Sequence, residues 1–337
     1  MMKISSRITR RQFLRTAAVV SAVIGAAPLS SRSLAAPRSH KGMPVILTTD
    51  IGDDIDDTWA LGFLLKCPEL DLKLAVTDYG KAEYRAKLLA KFLMACGRSD
   101  VAVGKGADVE PRGSGPQSPW IEKYDLAFYP GKVHEDGAQA IIDTIMMSST
   151  PVTLICIGPM PTVAAALSRE PRIATRARFV GMDGSIRVGY GGSKEVCAEW
   201  NVKAAPGPAR QALSAPWDIT ITPLDTCGLV SIDGARYQRL LDSKDPVVRA
   251  IIDNYRIWSW SNKSAADAEH RSTTLFDTVA VYLAFAHNLC KMERLKISVT
   301  EDGFTRIDPT AKEMEVATAW KDLDGYRDFL VNRLLSQ

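Results

Sequence analysis

Carboxylate side chains are concentrated in one short segment near the beginning of the chain. Residues 50–57 carry five aspartates in eight positions, directly after the apolar run at residues 45–47. Five like charges this close together repel one another unless a cation or several hydrogen bonds offset them. The segment contains no His or Cys, and oxygen-only ligand sets favour calcium or magnesium over zinc or copper. The spacing therefore predicts a site for a hard divalent cation.

The elements on either side of this segment must position the carboxylates. Residues 45–47 are typical of a buried strand, and residues 58–65 predict a helix whose first turn contains Asp56 and Asp57. An acidic first turn also complements the helix dipole, which is an alternative explanation for these two residues. The dipole does not require the other acids, and Asp50 ends the predicted strand. Loops between strands and helices at one edge of a parallel sheet are where ligands bind.

Further along the chain, predicted strands and helices alternate. Strands are predicted at residues 72–77, 101–104, 152–157, 177–182 and 219–224, and helices at residues 84–94, 138–147 and 162–167. This alternation implies right-handed crossovers and a single α/β domain with an open, mostly parallel sheet flanked by helices. The strand at 219–224 is predicted to be the last of the core. The chain from residue 231 onward is predicted to be a mainly helical C-terminal part.

The first 35 residues have the features of a secretory signal. Arg10 and Arg11 precede an apolar run, and small residues follow it. We therefore expect a twin-arginine-type signal peptide at residues 1–35, a linker at 36–43 and one folded domain at 44–337. Export by this route would place the protein in the periplasm or outside the cell. The apolar run is too short to remain as a stable membrane anchor.

Composition excludes several other classes of protein. Removal of residues 1–35 takes away six basic residues and no acid, so the net charge changes from +3 to −3. The basic character thus belongs to the signal, and no patch that would bind nucleic acid is indicated. The six cysteines are widely scattered, which predicts buried thiols rather than a disulfide framework.

Four later segments also place polar residues at predicted strand ends or helix starts. They are residues 157–159, 198–201, 224–226 and 276–282. Together with residues 50–57, these segments resemble the inosine-uridine-preferring nucleoside hydrolase family, in the same order and over roughly residues 44–285. The resemblance implies that family's fold and a calcium-dependent hydrolysis of ribonucleosides to ribose and a free base. It also implies a homo-oligomer, either a dimer or a tetramer.

The resemblance implies roles for individual residues. A calcium ion would be bound by Asp50, Asp57, Asp277 and the backbone carbonyl of Ile157, and Asp50 would be the general base. The implied substrate contacts are Asp56 and Asn201 at the two secondary ribose hydroxyls, and Glu199 and Ser193 near the primary hydroxyl. Asp54 and Asp78 are further candidate contacts, although Asp78 could equally be a turn cap. Breaking an N-glycosidic bond develops positive charge on the ribose, which such carboxylates stabilise.

Two departures from the family's pattern bear on the chemistry. Extra residues follow Gly52, so either Asp54 or Asp57 could be the second metal ligand, and Asp57 is favoured because it precedes the helix as the family's ligand does. Phe276 stands where many members carry a His that protonates the leaving base. An alternative function is therefore a calcium-dependent nucleoside- or ribose-binding protein with little or no turnover. The general base at Asp50 favours the enzyme.

Other side chains could assist the leaving base. His134 and His270 are candidate acids, and residues 112–130 are predicted to form a long loop over the site. Aromatic candidates for stacking on the base are Trp120, Tyr124, Tyr255, Trp258 and Trp260. Stacking favours a protonated purine ring, which can leave without a separate acid. We therefore expect purine nucleosides to be better substrates than uridine.

Overall fold

A computed structural model describes residues 42–108, 115–262 and 268–336. The predicted signal peptide, most of the predicted linker and the start of the loop predicted at 112–130 lie outside the described residues. Within the described part of the chain, no helix has the length and apolar character needed to cross a membrane. All six cysteines are described and are free thiols, as their scattered positions predict.

The described residues contain ten strands in one sheet. The strands are β1 (Met43–Thr49), β2 (Leu70–Thr77), β3 (Ala102–Gly104), β4 (Val133–His134), β5 (Val152–Cys156), β6 (Ala177–Met182), β7 (Ile219–Thr222), β8 (Cys290–Val299), β9 (Thr305–Ile307) and β10 (Glu313–Trp320). Their order is β4-β3-β2-β1-β5-β6-β7-β10-β8-β9. Neighbours from β4 to β10 are parallel, and β8 and β9 add to one edge in antiparallel pairs. The predicted open, mostly parallel sheet is confirmed.

Eleven α-helices are present in the same ranges. They are α1 (Asp56–Leu65), α2 (Ala82–Ala95), α3 (Ser118–Ile121), α4 (Gly137–Met147), α5 (Pro161–Arg169), α6 (Trp200–Ala204), α7 (Pro206–Ser214), α8 (Gly234–Leu241), α9 (Pro246–Ser261), α10 (Phe276–Leu283) and α11 (Leu323–Leu334). They pack against both faces of the sheet. One core includes residues of α1, α2 and α8–α11, and the other includes residues of α4, α5 and α7.

Strand β1 shows why the central strands have continuous apolar sequences. Val45 and Leu47 belong to one core, and Ile46 between them belongs to the other. A strand covered on both faces needs apolar side chains at every position, because successive side chains point to opposite faces. The same strand pairs with β2 on one side and β5 on the other, which places its carboxyl end at the centre of the sheet.

The C-terminal part differs from its prediction in one respect. Helices α8 to α10 occupy most of residues 234–283 as expected, but β7 is not the last core strand, because β10 pairs with it in parallel. Strands β8 and β10 mix buried with exposed positions near the edge of the sheet. They therefore lack the continuous apolar runs by which the central strands are recognised.

Candidate active site

A cavity of about 480 Å³ opens at the carboxyl ends of the central strands. The described residues that line it are Asp50, Asp53, Asp54, Asp56, Asp57, Lys81, Ile157, Met182, Tyr190, Glu199, Trp200, Asn201, Trp258, Phe276 and Asp277. Every predicted metal ligand is in this lining, together with four of the six predicted substrate contacts. Asp78 and Ser193 are the two that are not.

Three buried carboxylates form a cluster at the cavity wall. Asp56 and Asp57 lie in the first turn of α1 and Asp277 in the first turn of α10, and one ligand oxygen from each lies within 4.8 Å of the others. We call these three residues the carboxylate cluster. The N–H of Asp277 donates to Asp56 at 3.3 Å, and the Thr49 hydroxyl donates to Asp57. Two helix N-termini therefore converge here, and their dipoles favour negative charge.

The electrostatics of the carboxylate cluster call for a counter-charge. Burial raises the pKa of Asp56, Asp57 and Asp277 well above the usual range, and the neighbouring carboxylates raise each of them further. A hard divalent cation would offset these charges, and the donor atoms are all oxygen, as calcium and magnesium prefer. The residues of the cluster therefore fit a cation of this kind.

Asp50 lies next to the cluster, at the end of β1. A Cβ atom added to Gly158 would lie 2.7 Å from the Asp50 Oδ1 atom, so only glycine permits this approach. The carboxylate of Asp50 is thereby placed beside the loop that begins at Ile157. Burial raises the pKa of Asp50 to about 6, although the nearby Arg85 guanidinium opposes the shift. A carboxylate in this range can accept a proton near neutral pH.

The choice between Asp54 and Asp57 as a metal ligand is clearer in three dimensions. Asp57 is buried in the carboxylate cluster. Asp54 is exposed where the cavity meets solvent, and its side chain accepts a hydrogen bond from the N–H of Ile55 at 2.7 Å. This arrangement favours Asp57 as the ligand and leaves Asp54 at the cavity mouth.

Two cations hold the acidic loop, and sequence reasoning missed both. Arg85 Nη2 lies 2.7 Å from one carboxylate oxygen of Asp53, and Lys81 Nζ lies 2.5 Å from the other. Arg85 is almost fully buried and also donates to the carbonyls of Asp50 and Ile51. Burial alone would raise the pKa of Asp53, but these two cations hold it below the usual value. Arg85 lies on the buried face of α2. An arginine at a position where the helical pattern calls for an apolar residue could have pointed to this role.

Glu199 and Asn201, at the start of α6, also line the cavity. Glu199 caps this helix by accepting hydrogen bonds from the N–H groups of Asn201 and Val202, and it also accepts one from Gly184. Burial raises the pKa of Glu199 to about 7, although these three donors oppose the shift. The Asn201 side-chain amide donates to the carbonyl of Met182 at 2.9 Å. Both side chains are therefore held in place before any substrate arrives.

Asp78 and Ser193, two of the predicted substrate contacts, lie outside the cavity lining. Asp78 is buried and accepts hydrogen bonds from the backbone N–H and the hydroxyl of Thr162, so it holds the start of α5. Ser193 is exposed, and its hydroxyl accepts a hydrogen bond from Glu195 at 3.1 Å. Gly191 and Gly192, both with positive φ, precede it in a tight turn. Tyr190, from the same segment, lines the cavity instead.

The aromatic lining also differs from the prediction. Of the five predicted stacking residues, only Trp258 lines the cavity, and it is joined by Tyr190, Trp200 and Phe276. The rings of Tyr190 and Phe276 meet edge to face, with centroids 6.0 Å apart.

The other predicted aromatic residues lie elsewhere. Trp120 packs on Phe92, Tyr124 on Phe128 and Tyr255 on Trp59, while Trp260 is largely exposed. The described part of the loop predicted at 112–130 therefore does not line the cavity. Neither His134 nor His270 lines it either.

Comparison with known proteins agrees with this geometry. A model of the family described as inosine-uridine preferring nucleoside hydrolase matches residues 45–326. The non-specific ribonucleoside hydrolase RihC of Klebsiella pneumoniae is 29% identical over 231 residues, which cover 65% of this chain and 74% of that protein. The pyrimidine-specific ribonucleoside hydrolase RihA of Salmonella paratyphi B is 27% identical over 220 residues, or 61% of this chain and 68% of that protein.

Two solved structures share the fold. A plant nucleoside hydrolase superposes with a TM-score of 0.73 at 19% identity, covering 88% of this chain and 99% of that one. A purine-preferring ribonucleoside hydrolase from Gardnerella vaginalis superposes with a TM-score of 0.70 at 21% identity, covering 86% and 98%. The family match spans most of the chain, and the acidic loop, the Glu199 segment and Asp277 meet in one cavity. The chain therefore belongs to the inosine-uridine preferring nucleoside hydrolase family.

Proposed function

We propose that this protein hydrolyses the N-glycosidic bond of ribonucleosides, releasing ribose and a free base, with a bound calcium ion. The observation that carries the proposal is the position of Asp50. It lines the same cavity as the carboxylate cluster, Glu199 and Asn201, and its charge raises the pKa of Asp57 and Asp277. A ribose bound in this cavity would expose its anomeric carbon to a water molecule that Asp50 can deprotonate.

The protein's own residues account for most of the chemistry. Asp56 and Asn201 bind the secondary ribose hydroxyls and fix the ring, while Glu199 orients the primary hydroxyl. Buried carboxylates stabilise the positive charge that develops on the ribose as the base departs. Asp50 accepts a proton from the attacking water. When bound, the calcium ion supplies Lewis-acid activation of that water.

Calcium is proposed over magnesium because of the donor set. Asp50, Asp57, Asp277 and the Ile157 carbonyl offer only oxygen, and they come from three separate segments of the chain, with Asp57 and Asp277 in the first turns of helices. Calcium accepts all-oxygen sites of variable geometry, whereas magnesium requires near-ideal octahedral geometry.

The base preference is proposed from the cavity rather than from the relatives, whose names include non-specific, pyrimidine-specific and purine-preferring enzymes. Trp258, Tyr190 and Trp200 line the cavity and can stack on a base. No histidine is found among the described lining residues, and Phe276 occupies the position before Asp277. We propose that purine nucleosides are hydrolysed faster than uridine, because a purine ring can leave after protonation of its own N7 atom.

The predicted twin-arginine-type signal peptide at residues 1–35 supports export to the periplasm or beyond as part of the same proposal. A homo-oligomer is proposed from the family resemblance. Cell fractionation with and without an Arg10→Lys, Arg11→Lys substitution tests the export. Sedimentation of the mature protein tests the oligomeric state.

The decisive experiment is an assay of free-base release from a panel of purine and pyrimidine nucleosides by the mature protein with calcium. Release of base together with ribose is the expected result. Ribose binding without release from any nucleoside would instead indicate the binding-only alternative. The buried Asp50 supports the enzyme, because a binding protein needs no general base.

A further inference from the structure

One cationic side chain faces the acidic cavity. Among the described lining residues, Lys81 alone is a lysine, arginine or histidine. It precedes α2 with a φ of 50°, directly after Tyr79 and Gly80, whose φ values are also positive. A left-handed conformation is uncommon for lysine and persists only where the surroundings enforce it. The turn after β2 therefore holds Lys81 in the cavity wall.

The Lys81 ammonium can donate more than one hydrogen bond. It lies 2.5 Å from Asp53, whose carboxylate also pairs with Arg85 at 2.7 Å. An ammonium has three N–H donors, and Asp53 accepts one of them. The Lys81 side chain is only 12% exposed, and a partly desolvated charge acts more strongly on a neighbour than one in water.

The position of Asp53 links Lys81 to the aromatic part of the wall. The indole Nε1 of Trp258 donates to the Asp53 carbonyl at 2.9 Å. Lys81 and Trp258 are therefore both bound to the same residue of the acidic loop, near the exposed Asp54 at the cavity mouth. A ribose held by the carboxylate cluster and Asn201 would direct its base toward this mouth.

We propose that the Lys81 ammonium stabilises the negative charge on a base that leaves as an anion, and so partly replaces the acid that Phe276 cannot supply. This inference rests on the proposed ribohydrolase function. It is most important for uracil, which must depart with the electron pair of the broken bond on nitrogen. A purine protonated at N7 leaves neutral and gains less from a nearby cation than uracil does.

The step balances without another reactant. The bond between the anomeric carbon and the base nitrogen breaks, and its electron pair stays on the base, where the ammonium donates a hydrogen bond. The water oxygen bonds to the anomeric carbon, and Asp50 accepts the water proton. The departed base takes up a proton from solvent, and Asp50 releases one to solvent.

The test compares Lys81→Met with the unmodified enzyme on uridine, adenosine and p-nitrophenyl riboside, with calcium present. Nitrophenolate leaves readily without assistance. We expect kcat/KM for uridine to fall about a hundredfold, the scale of one positioned donor or acid. We expect little change for p-nitrophenyl riboside and an intermediate change for adenosine. Because the three substrates share one enzyme sample, their ratio is independent of any loss of folded protein.

Two further variants complete the test. Lys81→Arg keeps the charge and should restore much of the uridine activity. Lys105→Met is a matched control, because Lys105 is also a mostly buried lysine paired with carboxylates but does not line the cavity. It should leave the substrate ratio unchanged.

Three results would overturn the proposal. Equal losses on uridine and p-nitrophenyl riboside would mean that Lys81 only supports Asp53. A selective uridine loss in Tyr190→Phe but not in Lys81→Met would assign the role to the tyrosine hydroxyl. If the unmodified enzyme hydrolysed none of the three substrates, the proposed function itself would fail, and this inference with it.

Discussion

The carboxylates of the cavity and those on the outer face of α11 have opposite surroundings. Asp277 is buried with Asp56 and Asp57, and burial and mutual repulsion raise the pKa of all three. Asp328 lies on the surface 2.6 Å from Arg236, which holds the pKa of Asp328 below its usual value. On the surface the protein supplies its own counter-charge. In the carboxylate cluster it supplies helix N-termini and one hydroxyl, which partly offset the charge and leave room for a cation.

The two groups of carboxylates differ in how they affect the stability of the folded protein. An exposed ion pair contributes little to stability, because water solvates both partners in the unfolded chain as well. Buried carboxylates without a partner oppose folding and persist where they serve a function. Experiments that neutralise one group or the other should therefore have very different effects.

The largest effect is expected from removal of the metal. Exhaustive chelation should abolish nucleoside hydrolysis and lower the melting temperature, because the cluster is left with repelling carboxylates and the folded state loses a ligand. A hundredfold excess of ligand over its Kd stabilises the folded state by about 2.7 kcal/mol. Calcium should restore both properties better than magnesium. The Asp328→Asn control should respond to chelation as the unmodified protein does, whereas an unchanged rate and melting temperature after chelation would count against a metal site.

Replacement of Asp50 should have the next largest effect. Asp50→Asn removes a metal ligand charge and the general base, so kcat should fall at least about a hundredfold while circular dichroism shows a folded protein. Asp328→Asn, the matched surface change, should leave kcat unaltered. Near-normal turnover of Asp50→Asn in calcium would remove this residue from the mechanism.

The next test removes Arg85, the buried cation that holds the acidic loop through Asp53. Arg85→Met should destabilise the protein by about 3 kcal/mol, the lower end for breaking a buried pair, since Asp53 is itself partly exposed. Denaturant unfolding measures this change. Activity should also fall, because Arg85 binds the backbone of Asp50 and Ile51. Arg236→Met on the surface should change the unfolding midpoint far less. Equal effects at both sites would contradict the proposed difference between buried and exposed ion pairs.

The smallest effect on activity is expected from replacement of Phe276, which directly precedes Asp277 of the carboxylate cluster. Phe276→His should raise uridine hydrolysis and narrow the gap to purine nucleosides, though by less than the ~100-fold of a well-positioned acid. Ratios of kcat/KM for inosine and uridine measure this change. If uridine is the better substrate of the unmodified enzyme, the proposed account of the leaving base is wrong. Under the Lys81 inference, Lys81→Met should widen the same gap.

The sequence by itself determined the central sheet, the acidic loop and the segments that carry Glu199, Asn201 and Asp277. The central strands are specified locally, because a strand buried on both faces needs a continuous apolar run. Glu199 is specified locally as well, because it caps the start of α6. Strands β8 to β10, toward one end of the sheet, escaped prediction because partly exposed strands lack a continuous apolar run. The sequence left Asp78 as either a substrate contact or a turn cap, because a polar residue at a strand end fits both. In the structure its carboxylate holds the start of α5.

Only the tertiary structure decided which charges meet. Lys81 and Arg85 lie about thirty residues from Asp53 along the chain, and nothing local indicates that they share one carboxylate. Trp258 reaches the same residue from α9, while Trp120 and Tyr255, equally aromatic, pack away from the cavity. Helices and strands can be predicted from neighbouring residues, because the periodicity of apolar residues along the chain reports which face is buried. Pairing across the cavity depends on how the strand order brings separate loops together, and the crossovers of the sheet set that order.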